Sequence, residues 1–258
     1  NYLKSIRSSG STLKPFIYGD ALNRNIIDTS HIFNDKIFQK SGYTPTNFDG
    51  SYLGKITLKD ALVRSRNIPA IFTLNLLGFR NFESRLKTLL GSRNQLSNVS
   101  GLSLAVGGLY ITPEELAKLY VMLGNDGRPI DLRFTKNEKS KHYEHFLSKN
   151  SAKKVIALLA QDQSNGTPLV LKTGTSHLRQ DAWAAMITQK HVIIVWLGTP
   201  DNEPTKLLVG AETAMPLAIQ ISHALGFNSP SIDIAVLKSN HSKVELKSCN
   251  KLINFPED

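Results

Sequence analysis

The sequence predicts an α+β fold: an antiparallel β-sheet flanked by helices, with an additional all-helical subdomain. Three apolar runs between turn residues, Leu169–Lys172, Asp181–Thr188 and His191–Leu197, are typical of strands. The second and third runs are joined tightly around Gln189 and Lys190, so these strands are predicted to be antiparallel. Because helical segments precede and follow the strand cluster, the order favours α+β over a doubly wound sheet.

The helices are predicted in chain order from the signals at their ends. The first covers Ser11–Leu22, since Ser and Thr stand at its start and Pro15 falls in the first turn, where a missing N–H costs nothing. Residues 23–56 carry many turn residues and are predicted as loops. Further helices are predicted at Thr57–Ser65, Ala70–Leu77, Phe82–Leu90, Lys149–Gln163 and Ala214–Leu225.

The clearest local helix signal is the run Thr112-Pro113-Glu114-Glu115. Thr112 is a good N-cap, Pro113 suits the first helical position, and Glu115 stands three residues after the cap to complete a capping box. We therefore predict a helix from this point to about Gly124. The apolar context of Trp183 and Trp196 predicts that both side chains pack against the sheet rather than bind substrate.

Composition excludes several classes of protein. The chain has 258 residues, 41% of them hydrophobic, which excludes a disordered polyelectrolyte. Its single cysteine, Cys249, excludes an internal disulfide framework and a cysteine-rich zinc module. The formal net charge is +10, but no nucleic-acid-binding motif accompanies it, so nucleic acid is not a predicted partner. Neither metal-ligand spacing nor a phosphate-binding loop is found, and no metal or cofactor is predicted.

Three short motifs carry the candidate chemistry. The first opens a predicted helix, the second follows a predicted helix, and the third lies on a predicted strand. The first two patterns recur by chance elsewhere in the chain, whereas Lys-Thr-Gly occurs once, so order and setting carry the argument. The motifs are Ser11-Thr12-Leu13-Lys14, Ser65-Arg66-Asn67 and Lys172-Thr173-Gly174-Thr175-Ser176.

The first motif suits a serine nucleophile with a lysine base. Positions i and i+3 lie on one helix face, so Lys14 is predicted to reach the Ser11 hydroxyl. A hydroxyl needs a base to take its proton, and an amine acts as that base only when burial or a second cation lowers its pKa. Lys172 is predicted to be the second cation.

The other motifs supply groups for binding and proton transfer. Ser65 and Asn67 are predicted to form a hydrogen-bond relay and to hold a substrate amide. The backbone N–H groups of Ser11 and Thr175 are candidates for an oxyanion hole, with Gly174 leaving room for substrate. The hydroxyls of Thr173 and Thr175, with the Lys172 charge, suit a substrate carboxylate.

Longer segments around the motifs resemble the transpeptidase domain of class A penicillin-binding proteins, most of all the penicillin-binding protein 1C branch. The resemblance covers residues 8–225. It is carried by the segments SSGSTLKPFIYGDAL, YTPTNFDGSYLGKITLKDALVRSRNIPA, LSLAVGGLYITPEELAKLY, LKTGTSHLRQDAWAA and VIIVWLGTPD.

The resemblance implies a β-lactamase/transpeptidase-like fold and a serine D,D-transpeptidase that cross-links peptidoglycan stem peptides. In such an enzyme Ser11 is acylated by the penultimate D-Ala, the terminal D-Ala leaves, and an amine of a neighbouring stem peptide takes the acyl group. β-Lactam antibiotics acylate the same serine. The implied location is the periplasmic face of the bacterial inner membrane, with the anchor outside this chain, and cell-wall synthesis proteins are possible partners. The resemblance also implies a glycosyltransferase activity in the parent protein.

The chain departs from the family pattern in two places. Only Asn1–Gly10 precede the Ser11 helix, so N-terminal strands of the sheet are expected to be missing. Gln180 stands before Asp181 where the relatives carry Arg, and Arg179 comes one position earlier. Residues 1–227 are predicted to form the transpeptidase domain, and residues 228–258 a linker with the possible start of an accessory domain.

Other interpretations stay open at this level. Ser11 could be only a helix cap and Asn67 only a turn residue, and Gly107-Gly108 is predicted to be loop geometry outside the site. The Gln180 departure is also compatible with a non-catalytic penicillin-binding or sensor module. A serine β-lactamase of the same fold is a further alternative, and it requires a carboxylate that removes the acyl group.

Overall fold

The computed structural model describes residues 2–37, 39, 44–90, 101–133, 135, 143–162, 167–199, 201, 203–204 and 207–238. The described residues form these α-helices: α1 (Lys14–Asn23), α2 (Leu58–Val63), α3 (Asn67–Leu77), α4 (Phe79–Leu90), α5 (Pro113–Gly124), α6 (Lys149–Leu159) and α7 (Met215–Ala224). The strands are β1 (Arg7–Ser8), β2 (Ile32–Asp35), β3 (Gly54–Thr57), β4 (Tyr110–Ile111), β5 (Ala160–Asp162), β6 (Pro168–Thr175), β7 (Asp181–Ile187) and β8 (Val192–Gly198). Cys249 and residues 239–258, most of the predicted linker and accessory segment, lie outside the described residues.

The main sheet has four antiparallel strands in the order β5-β6-β7-β8, which confirms the predicted α+β class. Strand β6 carries the whole Lys-Thr-Gly-Thr run, with Lys172 opposite Ala185 and Gly174 opposite Trp183 on β7. Every residue of β7 is buried, because the sheet is covered on both faces. The motif residues Lys172–Thr175 therefore pair with β7 on one side and lie beyond Pro168–Val170, the part of β6 that pairs with β5.

The two faces of the sheet belong to two apolar cores. Val170, Trp183 and Ile187 face the larger core, which also contains buried side chains of α1, α5 and α6. Leu171 and Met186 face a smaller core with α7. This alternation follows from the two-residue period of a strand. The predicted packing role of Trp183 is confirmed, and Trp196 packs against the edge of the larger core.

Helix α1 runs through the centre of the larger core. Each of its residues from Lys14 to Leu22 is buried, and it packs against α3 and α6. The predicted helix start at Ser11 is wrong in detail, because Gly10–Leu13 forms a 3-10 turn and the α-helix begins at Lys14. The tighter turn is stabilised by Thr12, whose N–H and hydroxyl both donate to the carbonyl of Ser9, at 3.2 and 2.8 Å.

Several other predicted boundaries are corrected by the structure. Helices α3 and α4 both begin three residues earlier than predicted. For α3 the reason is that Pro69 is accommodated within its first turn. Helix α6 ends at Leu159 instead of Gln163, since residues 160–162 pair with the edge of β6 as β5. Residues 23–56, predicted as loops, contain the antiparallel pair β2–β3, whose four-residue strands are too short for a clear sequence pattern.

Side-chain caps are found at Thr57 and Thr112, whereas neither Ser11 nor Thr12 caps α1. The Thr57 hydroxyl accepts a hydrogen bond from the Asp60 N–H at 3.0 Å at the start of α2. Thr112 and Glu115 form the predicted capping box at the start of α5, with Pro113 in its first turn. Within the described part of the chain, no helix has the length and apolar character that a membrane crossing requires.

Candidate active site

The three motifs meet at a cleft of about 1190 Å³. Ser11, Ser65, Asn67, Thr173 and Thr175 all contribute to its wall. The two lysines of the motifs lie behind this wall, with 0% and 2% of their surface exposed. The structure thus brings the predicted site residues together from the start of α1, the start of α3 and the end of β6.

Two glycines allow the Ser11 turn to lie directly against β6. A methyl group at Gly174 would lie 2.8 Å from the carbonyl oxygen of Ser9, and one at Gly10 would lie 2.7 Å from that of Thr175. Gly10 also has a φ of 53°, a conformation that favours glycine. Gly174 is buried and makes room for the Ser11 turn, which corrects the expectation that it makes room for substrate.

The Ser11 hydroxyl is on the cleft wall and is half-buried. It accepts and donates no hydrogen bond among the described residues. The turn that carries it is fixed from behind, because the buried Tyr120 hydroxyl donates to the carbonyl of Thr12 at 2.9 Å. Ser11 is therefore a fixed hydroxyl that faces the cleft and can approach a bound molecule.

The Lys14 ammonium nitrogen contacts the second motif. It donates to the Ser65 carbonyl at 2.6 Å and to Asn67 Oδ1 at 2.7 Å, and it lies 3.4 Å from Ser65 Oγ. These partners are neutral oxygens, and no ion pair of Lys14 is formed within the described residues. The predicted contact with the Ser11 hydroxyl is not formed in this state. Contacts of this kind are often long in the absence of substrate.

Burial without a counter-ion shifts the proton equilibrium of Lys14. Desolvation lowers the pKa of Lys14 well below its ordinary value of 10.5, the nearby charges of Lys172 and Arg66 lower it further, and Asp35 opposes them. Burial also lowers the pKa of Lys172, to about 7. Burial thus lowers the pKa of both lysines, and two repelling cations lower that of Lys14 further.

Two of the three hydrogen-bond contacts of Lys14 are short, and a neutral amine that acts as a base can make both of them. A neutral amine has two N–H groups and one lone pair. The two short bonds, to the Ser65 carbonyl and to Asn67, use both N–H groups. The lone pair is then left to accept a proton, and the nearest hydroxyl to it is that of Ser65, at 3.4 Å.

Ser65 lies between the two lysines. Its hydroxyl oxygen accepts from the Lys172 ammonium at 2.8 Å, and Lys172 also donates to the carbonyl of Thr173 at 2.8 Å. Ser65 has a φ of 58°, which is unusual for a residue with a side chain and is typical of strained functional positions. These contacts join Lys14, Ser65 and Lys172 in one chain of hydrogen bonds, whereas the predicted relay consists of Ser65 and Asn67.

The cleft also contains residues that the sequence analysis placed elsewhere. Gly107 and Gly108 line it, which corrects their assignment as loop geometry outside the site. Asn47, treated as a turn residue, accepts from the backbone N–H of Asn67 at 2.8 Å. Phe48 also lines the cleft. No pattern in the sequence distinguishes these residues, because their roles depend on contacts across 20 or more positions.

One carboxylate, that of Asp49, lines the cleft within the described part of the chain. It accepts from Ser51 Oγ at 2.6 Å and from Arg66 Nη1 at 2.9 Å. These hydrogen bonds, that of Ser51 first, lower the pKa of Asp49 to about 2. A carboxylate with so low a pKa is a weak base. No cluster of three metal-ligating side chains occurs among the described residues.

The departure at Gln180 lies at the mouth of the cleft, where Arg179 and Gln180 contribute to the wall. Asp181 is buried beneath them and accepts from Trp196 Nε1 at 2.9 Å, while its N–H donates to Ser176 Oγ at 2.8 Å. Burial raises the pKa of Asp181. Asp181 thus shapes the turn between β6 and β7 and does not line the cleft.

Comparison with known proteins agrees with this geometry. The family model of the penicillin binding protein transpeptidase domain matches residues 1–203. Penicillin-binding protein 1C of Escherichia coli (strain K12) is 33% identical over 234 residues, which cover 86% of this chain and 30% of that relative. The chain therefore spans less than a third of that protein's length.

Solved structures have the same fold at lower identity. Penicillin-binding protein 1A from Haemophilus influenzae matches with a TM-score of 0.70 at 23% identity, over 86% of this chain and 43% of that one. The PonA1 protein from Mycobacterium tuberculosis in complex with penicillin V matches with a TM-score of 0.71 at 18% identity, over 90% of this chain and 73% of that one. Motifs, geometry, family match and fold agree, and the chain belongs to the family of penicillin-binding protein transpeptidase domains.

Proposed function

We propose that this chain catalyses serine D,D-transpeptidation, the cross-linking of peptidoglycan stem peptides through an acyl-enzyme. The observation that carries the proposal is the Lys14 amine, which is buried without a counter-ion behind the cleft and one 3-10 turn from the Ser11 hydroxyl. A buried lysine whose pKa is lowered well below 10.5 supplies the base that a serine nucleophile needs.

In the proposed acylation step, the Lys14 lone pair takes the Ser11 proton as Ser11 Oγ attacks the carbonyl carbon of the penultimate D-Ala. The bond from that carbon to the nitrogen of the terminal D-Ala then breaks. The leaving nitrogen takes a proton that returns from Lys14 through the Ser65 hydroxyl. Ser65 Oγ lies 3.4 Å from Lys14 Nζ. The products are an ester on Ser11 and free D-Ala, and all groups return to their starting protonation.

The second proposed step reverses these roles. An amine of a neighbouring stem peptide attacks the ester carbonyl, Lys14 accepts the proton of the amine, and Ser11 leaves with a proton. Backbone N–H groups of Ser11 and Thr175 are the proposed oxyanion hole for both tetrahedral intermediates. Their closeness supports this, since the turn before Ser11 packs directly on the backbone of Thr175.

Substrate binding is assigned to the third and second motifs. The hydroxyls of Thr173 and Thr175 line the cleft, and the Lys172 charge behind them favours the terminal carboxylate of the donor peptide. Asn67 already binds Lys14 through Oδ1 and the Thr46 carbonyl through Nδ2, at 2.7 Å each. Its main proposed role is therefore to hold the base, and one N–H remains for a substrate carbonyl.

The same cleft is proposed to bind β-lactam antibiotics, which acylate Ser11. The fold similarity to PonA1 in complex with penicillin V supports this. The β-lactamase alternative is disfavoured, because Asp49 is the one carboxylate among the described residues of the cleft wall and its pKa of about 2 makes it a poor base for deacylation.

The remaining proposals concern the longer protein. We place the chain at the periplasmic face of the bacterial inner membrane, as part of a membrane-anchored protein that also carries a glycosyltransferase activity. Residues 1–227 are proposed as the transpeptidase domain, which the packing of α7 on β7 and β8 supports. Residues 228–258 are proposed as a linker and possible start of an accessory domain.

Mass spectrometry of the intact chain after incubation with benzylpenicillin tests the proposal. We expect one adduct, mapped to Ser11, that persists for many minutes and is lost in Ser11→Ala. The matched control is Ser103→Ala, because Ser103 also lines the cleft but belongs to none of the three motifs. Absence of an adduct on the folded chain contradicts the proposal.

A second assay separates the alternatives. With a stem peptide ending in D-Ala-D-Ala and an amine acceptor, we expect release of D-Ala and formation of the exchanged product. An adduct without either product identifies a penicillin-binding sensor. Rapid turnover of a chromogenic cephalosporin identifies a β-lactamase.

A further inference from the structure

The side chain of Arg66, at the variable position of the second motif, is buried in a network of oxygen atoms. It is 6% exposed, and it donates from Nε to Asp35 Oδ2 at 2.8 Å and from Nη1 to Asp49 Oδ2 at 2.9 Å. Nη2 donates to the carbonyl of Ser51. A guanidinium with this many fixed acceptors is rigid and permanently charged.

Asn47 extends the network to the start of α3. Its Nδ2 donates to the other carboxylate oxygen of Asp35 at 2.8 Å, and its Oδ1 accepts from the backbone N–H of Asn67 at 2.8 Å. Asp35 itself is fully buried and also accepts from the N–H of Leu53 at 3.1 Å. One buried carboxylate therefore organises the side chains that anchor Arg66 and Asn67.

The anchored residues follow directly after Ser65, the strained residue of the relay. A residue with a side chain keeps a φ near 58° only where its surroundings hold it there. In that conformation the Ser65 carbonyl accepts from Lys14 at 2.6 Å, and its hydroxyl accepts from Lys172 at 2.8 Å. The Arg66 network thus fixes the turn that brings Ser65 to both lysines.

Arg66 also acts on Lys14 through its charge. The charged groups that influence Lys14 are Lys172 on β6, Arg66 before α3 and Asp35 on β2. Asp35 favours the ammonium form of Lys14, whereas Lys172 and Arg66 favour the neutral amine. Because Arg66 is hydrogen-bonded to Asp35, it offsets the one nearby charge that would keep Lys14 protonated.

We propose that Arg66 is a positioning residue for acylation of Ser11: with Asp35 and Asn47 it holds the Ser65 turn against Lys14 and neutralises the carboxylate behind that lysine. The inference rests on the proposed function, since it concerns the base of the proposed reaction. It assigns a role to a side chain whose hydrogen bonds go to Asp35, Asp49 and Ser51 and not to the reacting hydroxyl.

The test measures the second-order rate of Ser11 acylation by benzylpenicillin from pH 5 to pH 10. In Arg66→Met, Asp35 is left unpaired beside Lys14, so the rate at pH 7 falls about 10- to 100-fold. The midpoint of the pH profile rises by about one unit. In Asp35→Asn the opposing charge is gone, and the midpoint moves to lower pH.

Arg85→Met is the matched control, because Arg85 also binds a buried carboxylate, that of Asp20, but lies outside the cleft wall. It is expected to lower the melting temperature and to leave the pH midpoint unchanged. If the role of Arg66 is purely structural, Arg66→Met lowers the folded fraction in the same way and leaves the midpoint of the pH profile unmoved.

Wild-type midpoints in both Arg66→Met and Asp35→Asn overturn the inference. If Arg66→Met does not fold, Asp35→Asn alone decides, and an unmoved midpoint contradicts the proposed role. Failure of the proposed function looks different: the wild-type chain is then not acylated at Ser11 at any pH.

Discussion

Helix α1 carries two buried ionisable side chains, and one of them has charged partners whereas the other has neutral ones. Asp20 is fully buried and is paired with two cations, Arg24 at 3.0 Å and Arg85, whose side chains are 27% and 28% exposed. Lys14, at the start of the same helix, is also fully buried but contacts only neutral oxygens of Ser65 and Asn67.

The difference distinguishes a charge that stabilises the fold, that of Asp20, from one that takes part in the proposed reaction, that of Lys14. Arg85 also donates to the carbonyl of Phe146, so the Asp20 cluster joins α1 to α4 and to the segment before α6. The Asp20 carboxylate is thus paired with two guanidinium groups. Lys14 has no such partner among the described residues. Loss of a proton removes the free-energy cost of burying its charge, which is why burial lowers its pKa. A charge that is buried without a counter-ion thus marks the reactive end of the helix.

The largest effect is expected from Lys14→Met, which removes the buried amine at similar volume. Loss of a general base lowers the rate of Ser11 acylation by roughly a thousandfold. The free energy of unfolding changes by less than about 2 kcal/mol, because removal of a buried cation offsets the lost hydrogen bonds.

Acylation kinetics and urea unfolding measure both quantities. The matched control is Lys149→Met, since Lys149 is 64% exposed and pairs with Asp126 at 2.8 Å on the surface. An acylation rate in Lys14→Met within tenfold of the wild type contradicts the assignment of Lys14 as the base.

The opposite pattern is expected from Asp20→Asn. This variant leaves Arg24 and Arg85 without their carboxylate and destabilises the chain by about 2–3 kcal/mol, which partial exposure of both arginines limits. The folded protein is acylated at close to the wild-type rate, because none of the three residues lines the cleft. Thermal unfolding and the acylation assay check the two parts. A large loss of acylation with unchanged stability would show that the two charges do not differ in role.

The smallest effect is expected at the helix cap of α5 and gives the size of a stabilising interaction made away from the cleft. Thr112→Ala removes the capping box of α5 and is expected to lower the free energy of unfolding by about 1 kcal/mol without changing acylation. Thr88→Ala is the control, because the exposed Thr88 hydroxyl only donates back to the carbonyl of Ser84 within α4. Urea unfolding of both variants measures the difference. Equal destabilisation by the two changes contradicts the capping assignment.

The sequence predicts those features that depend on neighbours along the chain. The capping box of Thr112 and the antiparallel pairing of β7 with β8 follow from local patterns, and both are found. The three motifs could be placed in one site because each suits a step of the same chemistry. Helix α1 was also found, but its burial on all sides gives no apolar face from which its packing could be predicted.

The features that the sequence does not predict depend on contacts between distant segments. Asn47 and Asp35 belong to a region predicted as loops, and only the fold brings them to Arg66 and Asn67. Gly174 is explained by the turn that packs on it, a contact that joins positions more than 160 residues apart. That Lys14 forms no ion pair with a described residue is likewise visible only in three dimensions.

The central claim is that the pKa of Lys14 lies well below 10.5 because its amine is buried and forms no ion pair with any described residue. Nuclear magnetic resonance of lysine labelled with carbon-13 at the ε position tests it, with the Lys14 signal assigned by its absence in Lys14→Met. We expect this signal to titrate well below pH 10.5, and the rate of Ser11 acylation to rise with pH through the same midpoint, since only the neutral amine accepts the Ser11 proton. A Lys14 signal that titrates near 10.5, or an acylation rate that is independent of its titration, contradicts the account.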